Sequence, residues 1–279
     1  MSRIAVLLAS ASAIACGGGA GPVPPPSPRP SGPTPAPSGA AVAPATRLQY
    51  RLRTPLRYEI TRHDSLFFLS PGSGPPQGTG RLVEVTVRPE GSRTTIVLDS
   101  VASIVGSQLA GSTIDSALGT RWETRISSSG LSGELRSNRT SILLGQIEAV
   151  LRLLFPQLPS TGVRSGDFWS DSSSYRIRLD AFEATESAAR SSRAAVGAGQ
   201  GDLRIEVEER VSRQGLATQG GRAMTLVGTG ERRVTYEFSA LGWVSSLRAR
   251  DSLNLNVTIP DGTQSIPVLW RATIVARLR

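Results

Sequence analysis

The sequence predicts a mainly β protein: a large curved antiparallel sheet with one buried apolar helix, following a disordered N-terminal tether. Three observations predict it. Val, Ile, Thr and Ser are plentiful and recur in alternating segments between Gly-rich breaks, which suits half-buried pleated strands. One run, Ile142 to Phe155, places apolar residues at helical spacing instead. The stretch from Pro22 to Pro44 is too rich in proline for helix or ladder, because proline fixes φ and lacks a backbone donor.

Residues 1–15 read as a signal peptide. Arg3 supplies the positive start, and Ile4 to Leu8 with the Ala/Ser stretch through Ala15 supplies the apolar run. That run is shorter than the roughly 20 residues needed to span a bilayer. Ala13-x-Ala15 also satisfies the small-residue rule of ordinary signal peptidase. Cys16 follows and is the sole cysteine of the chain. Residues 16–46 form a Pro/Gly-rich linker. At about 3.1 Å per extended residue it would hold the domain several tens of ångströms from its point of attachment. PxxP spacings between Pro22 and Pro37 leave a peptide-ligand reading open.

The domain, 47–279, has length for one large unit with two similar halves, 47–160 and 161–279. Leu48 to Ile60 alternates with a break at Pro55, giving a bent strand or a strand pair. Leu82 to Val87 and Thr94 to Val101 flank a Pro89-Glu90-Gly91 turn. Arg121 to Ile126 and Leu131 to Arg136 flank Ser129-Gly130. The helix is next: Ile142, Leu143, Leu144, Ile147, Val150, Leu151 and Leu154 give it a broad apolar face. Asn138 or Thr140 would cap it, and Pro156 would end it. Later strands are expected over Phe168 to Leu179, Leu203 to Val211, Ala223 to Gly228, Arg232 to Ser239, Trp243 to Arg250, Ser252 to Ile259 and Ile266 to Arg279. Asp261-Gly262 is a hairpin turn. Pro71 to Gly80 and Ala184 to Gly201 read as long loops, the second with some helix propensity. Ser127 to Arg136 aligns without gaps on Ser239 to Arg248, a weak repeat that suggests two similar β halves.

Composition excludes several chemistries. The net charge is +9, and every one of the 31 Lys+Arg residues is Arg. Without lysine there is no P-loop and no Schiff base. With Cys16 assigned there is no disulfide, thiolate zinc site or cysteine nucleophile. The one histidine, His63, precedes Asp64 in a polar stretch that reads as a turn or strand end. Gly130-Leu131-Ser132-Gly133-Glu134 fails the nucleophile-elbow pattern at its last position. The arginines are scattered along strands rather than clustered with aromatics, which argues against nucleic acid. They fit a solvated basic face or contact with an anionic envelope surface. No cofactor or metal is implied.

Ala13-Ile14-Ala15-Cys16 resembles the lipobox of bacterial lipoproteins, with Ala13 where that class usually carries Leu. The resemblance implies acylation of Cys16 and a membrane anchor. With Gly17 rather than Asp after the cysteine, it implies the periplasmic face of the outer membrane in a diderm cell. Secretion after signal peptidase I cleavage, with Cys16 left plain, is the other reading. Phe155-Pro156-Gln157-Leu158-Pro159 and Val163-Arg164-Ser165-Gly166-Asp167-Phe168-Trp169 resemble a Pro-x-x-Pro…Val-x-x-Gly-Asp-x-Trp signature of uncharacterised exported lipoproteins. There Gly166 and Asp167 would form a turn and Trp169 would plug the core, or Asp167 and Trp169 would bind a ligand. The set of anchor, linker, curved sheet and apolar helix is similar to the half-barrel carriers of bacterial envelopes, the LolA/LolB/LppX-like class.

Three functions compete. The first is an envelope lipoprotein that holds a hydrophobic ligand or lipidated partner against Ile142, Leu143, Ile147, Val150, Leu151 and Leu154. The second is a structural envelope protein that binds a partner protein and no ligand. The third is a hydrolase that pairs two of Asp99, Asp167, Asp171, Glu206 and Glu208. Asp202, Glu206 and Glu208 share one strand face, which favours solvation over catalysis.

Overall fold

The computed structural model describes residues 47–70, 72, 74–106, 110–179, 182–199, 202–219, 222–258 and 265–279. The signal-peptide, Cys16 and linker expectations and the Asp261-Gly262 turn lie outside the described residues. The N-terminal half contributes β1 (Leu56–Phe68), β2 (Gln77–Glu90), β3 (Arg93–Val105), α1 (Gly111–Ala117), β4 (Arg121–Thr124), β5 (Ile126–Ser127), β6 (Gly130–Leu131), β7 (Arg136–Ser137) and α2 (Ile142–Leu154). The C-terminal half contributes β8 (Phe168–Leu179), β9 (Phe182–Val196), β10 (Leu203–Gln219), β11 (Arg222–Phe238), β12 (Val244–Thr258) and β13 (Ser265–Leu278).

Eleven strands form one antiparallel sheet in the order β7-β4-β3-β2-β1-β13-β12-β11-β10-β9-β8, and β5 and β6 pair separately. The first strand therefore lies in the interior, beside the last. The sheet is neither closed nor strongly curled, and β7 and β8 are its two edges. This corrects the expected strong curvature and half-barrel. Apolar cover comes from α2 lying on one face, so the sheet need not fold over itself to bury that face.

Period-two alternation explains the inner face. Tyr58 and Ile60 on β1, Val83, Val85 and Val87 on β2, and Leu247 and Ala249 on β12 are buried beneath α2. The helix starts at Ser141, whose side chain accepts from the Leu144 N–H at 3.2 Å, rather than at Asn138 or Thr140. Its buried stripe is Leu143, Leu144, Ile147, Val150, Leu151, Leu153 and Leu154. Polar bonds fix its position on the sheet. Tyr236 Oη donates to the Leu153 carbonyl at 2.9 Å, and Arg62 donates to the Gln146 carbonyl at 3.2 Å. Tyr50, Tyr58, Phe155, Tyr236 and Phe238 pack edge to face or tilted where the helix ends.

Several local expectations change. Ala184 to Val196 is neither loop nor helix but lies within the fifteen-residue β9, paired on both sides. His63 lies inside β1, not at a turn, with its side chain exposed on the outer face. Gln77 to Gly80 belongs to β2 rather than to a loop. Leu48 makes only an isolated bridge to Val163, so the first long strand begins after Pro55 and continues to Phe68. The expected breaks within Ala223 to Ser239 and Trp243 to Ile259 are absent, and β11 and β12 each run through them.

The aligned decapeptides do share a geometry. Gly130 and Gly242 occupy matching positions and both have positive φ, 110° and 87°. A Cβ on Gly130 would collide with the Pro156 carbonyl, and one on Gly242 with the Gln49 carbonyl. Both turns grip the entering chain: Tyr50 N donates to the Ser128 carbonyl at 2.9 Å, and Arg51 N to the Gly242 carbonyl at 3.2 Å.

Candidate functional site

Two features on the inner face stand apart from the apolar core: a ladder of buried ions and a cleft beside it.

The register builds the ladder. Asp171, Arg190, Glu209, Arg232 and Asp251 face each other in sequence across β8, β9, β10, β11 and β12. Signs alternate along the row, so each charge is flanked by opposite ones. Arg190 meets Asp171 at 3.2 Å and Glu209 at 2.9 Å. Arg232 meets Glu209 at 3.0 Å, Asp251 at 2.9 Å and, from the row four residues further along the strands, Glu186 at 2.9 Å. Arg213 closes the second layer with a 2.6 Å bond to Glu186. Its guanidinium also stacks 4.2 Å from the centre of the Trp270 ring. Of the two strands between them, β11 has Gly228 and Gly230 at these rows and so adds no side chain beside Arg213. Trp270 Nε1 donates to Asp64 at 3.1 Å, and Asp64 accepts two bonds from Arg62 at 2.7 and 2.8 Å.

Glu186, Glu209, Arg213, Arg232 and Asp251 are all at most 5% exposed. Ions at that depth persist only when fully paired. Burial would raise the Glu186 pKa, but Arg232 and Arg213, with hydrogen bonds from Tyr175 and Arg232, outweigh it and hold the carboxyl at about 2. Burial would likewise lower Arg232, yet Asp251, Glu186 and Glu209 hold it well above the usual range. Burial first, then the neighbouring Glu186 charge, pushes the Tyr175 hydroxyl up, so it stays a neutral donor at 2.5 Å from Glu186.

The cleft lies between α2 and the far ends of β8 to β11, with a volume of about 1450 Å³. Its apolar lining comes from Leu144 and Ala149 on the helix and Ile177, Ala184, Met224 and Leu226 on the sheet. Gly215 and Ala217 add small surfaces, and Arg139, Arg152 and Arg176 stand at its polar margins. The helix residues bordering it also include Gly145 and Glu148. Fully buried Trp122 lines it too, and its indole N–H has no acceptor among the described residues.

The residues singled out from sequence are distributed as follows. Leu143, Ile147, Val150, Leu151 and Leu154 pack into the main core, while Ile142 is 48% exposed at the helix start. Gly166 turns with φ of 90°, and Asp167 accepts from the Arg164 N–H at 2.9 Å. Gly166 N then donates to the Ala194 carbonyl at 2.8 Å, so this loop closes the end of β9. Trp169 is half-buried against the core, and its Nε1 has no partner among the described residues. The candidate catalytic carboxylates are dispersed. Asp99 accepts from Thr86, Asp171 pairs with Arg190, Glu206 with Arg204, and Glu208 with Arg233. The carboxylates that do converge, Glu186 and Glu209, meet on one nitrogen of Arg232.

Sequence reasoning missed the ladder, although a signal was present. Glu209 and Arg213 keep step with Ile205, Val207 and Val211, and Arg232 keeps step with Val234, Tyr236 and Phe238. A charge in phase with buried apolar residues on neighbouring hairpin strands marks a buried ion row.

Among the described residues no helix is long and apolar enough to cross a membrane. No protein-family model matches the chain, and no curated protein matches its sequence.

Proposed function

We propose that this chain is a membrane-anchored envelope lipoprotein whose cleft holds a hydrophobic ligand or the acyl chain of a lipidated partner. The observation that carries this reading is the cleft of about 1450 Å³ between α2 and the sheet, with an apolar lining and arginines at its margin. Ligand sites are concave, mostly apolar and marked by a few placed polar groups. Small residues at Ala184, Gly215 and Ala217 leave the room that larger strand residues would fill. The buried ions beside the cleft supply rigidity: Arg152 of α2 pairs with Glu148 at 2.8 Å and lies 5.1 Å from the Tyr175 ring, which itself bonds to Glu186. The anchor part of the reading rests on the lipobox resemblance at Cys16.

Native mass spectrometry of the purified full chain tests it. Co-purified lipid or an added long-chain fatty acid should be retained by the protein. Ala217→Trp, which fills the cleft, should weaken that retention by about an order of magnitude without unfolding the sheet. A chain that retains no apolar molecule, or one whose retention ignores Ala217→Trp, rules the cleft out as the site.

A further inference from the structure

We propose that the ligand of the cleft is an anionic amphiphile, with its carboxylate or phosphate oxygens at the first turn of α2 and its apolar chain between helix and sheet. The inference rests on the cleft being the ligand site and narrows that reading to one chemical class. What stands at one end of the cleft carries it.

Sequence and register bring several polar groups to that end. Ser137, the last residue of β7, lies directly opposite Trp122 of β4, so their side chains share a face. Arg139, Thr140 and Ser141 follow and lead straight into α2. All of these border the cleft, as do Leu144 and Gly145 of the first helical turn. Ser137 shapes the segment: its Oγ donates to the Arg139 carbonyl at 2.5 Å and accepts the Arg139 N–H at 3.2 Å.

This end is positive. α2 has 13 residues, and no acidic residue stands in its first turn. Its aligned peptide dipoles leave about half a positive charge there with no carboxylate of its own to answer it. Ser141 takes the Leu144 N–H, while the Ile142 and Leu143 N–H groups have no acceptor within the helix. Arg139 adds a whole charge. Its guanidinium donates to the Ser116 and Leu118 carbonyls at 2.8 and 3.0 Å, which fixes its position without neutralising it.

Trp122 is the independent observation. It is fully buried, it borders the cleft, and its indole N–H meets no acceptor among the described residues. A buried donor left unmade is costly. A ligand oxygen seated at this end would complete it, and a hydrocarbon tail would not.

The carboxylates that border the cleft stand elsewhere. Glu148 lies seven residues after Ser141, about 10 Å along the helix at 1.5 Å per residue, and pairs with Arg152 at 2.8 Å. Glu183 lies on β9, on the sheet side. Ala149 of α2 and Ile177, Ala184 and Leu226 of the sheet give the cleft its apolar part. A positive, donor-rich end joined to an apolar channel suits a charged head on a single chain better than an uncharged hydrocarbon.

The test compares three ligands of one chain length on the full chain by native mass spectrometry: hexadecanoic acid, hexadecyl phosphate and hexadecanol. At least one of the two anions should be retained about tenfold more tightly than the alcohol, and the tighter anion names the headgroup. Arg139→Gln should remove that preference and leave alcohol retention unchanged, and Arg139→Lys should keep most of it. Equal retention of all three by the unaltered chain, or a preference that Arg139→Gln leaves intact, overturns the inference while the cleft stands as the site. A chain that retains none of the three fails at the cleft itself.

Discussion

Two rows of the inner face, with one further row between them, both lie largely out of solvent and are chemically opposite. Ala194, Ile205, Tyr236, Leu247 and Ala276 form one, and their side chains meet α2 and the aromatic cluster. Four residues along each strand, Arg190, Glu209, Arg232 and Asp251 form the other. The first row is held by transfer from water and tolerates changes of volume in small steps. The second is held by mutual pairing, and removing any member leaves its partners charged in a place that solvent does not reach. Burial alone therefore does not tell how a position will respond to substitution.

The largest expected effect is at the hub. Arg232→Met leaves Glu186, Glu209 and Asp251 without their shared cation. It should cost about 3–5 kcal/mol in urea unfolding, as for other broken buried ion pairs. A loss below about 1 kcal/mol would erase the contrast between the rows.

A second, smaller effect separates the rows by pH. Glu186 titrates at about 2 in the folded protein against the usual 4.5, so its contribution is fully present above about pH 4.5. It should fade as pH falls from 4.5 towards 2. Thermal unfolding followed from pH 7 to pH 3 should show this loss, and Glu186→Gln, already destabilised, should show a shallower acid slope. Identical slopes would mean that the ladder does not govern acid stability.

The smallest effect belongs to the apolar side. Ile274→Val, on β13 within that core, removes one buried methylene and should cost about 0.5–1.5 kcal/mol in the same urea measurement.

The same contrast explains what could be read in the sequence. β8 and α2 were legible almost to the residue, because Ile142 to Leu154 keeps helical spacing and Phe168 to Leu179 lies between turn signals. β13 was legible to within a residue, β10 was cut short at Val211, and β11 and β12 were each expected as two strands, with the splits at Thr229 to Glu231 and at Asp251. β9 was not legible at all. Its inward side chains, Ala184, Glu186, Ala188, Arg190, Ser192 and Ala194, are small or charged and produce no apolar alternation. That strand owes its conformation to the neighbours on both sides, which a reading along one chain does not see. The cleft was hidden for a related reason: it is bounded by α2 residues Gly145, Glu148, Ala149 and Arg152, and Leu144 is the one member of the broad apolar stripe that lines it.

The two glycine turns that grip the entering chain have a mechanical consequence. A pull applied at residue 47 meets the Leu48 bridge to Val163, the Ser128 carbonyl and the Gly242 carbonyl before it reaches β1. These anchor points lie in the loop before β8, the β5–β6 hairpin and the β11–β12 turn. Tension is divided between both halves of the sheet, and because β1 is an interior strand it cannot be peeled away from an edge.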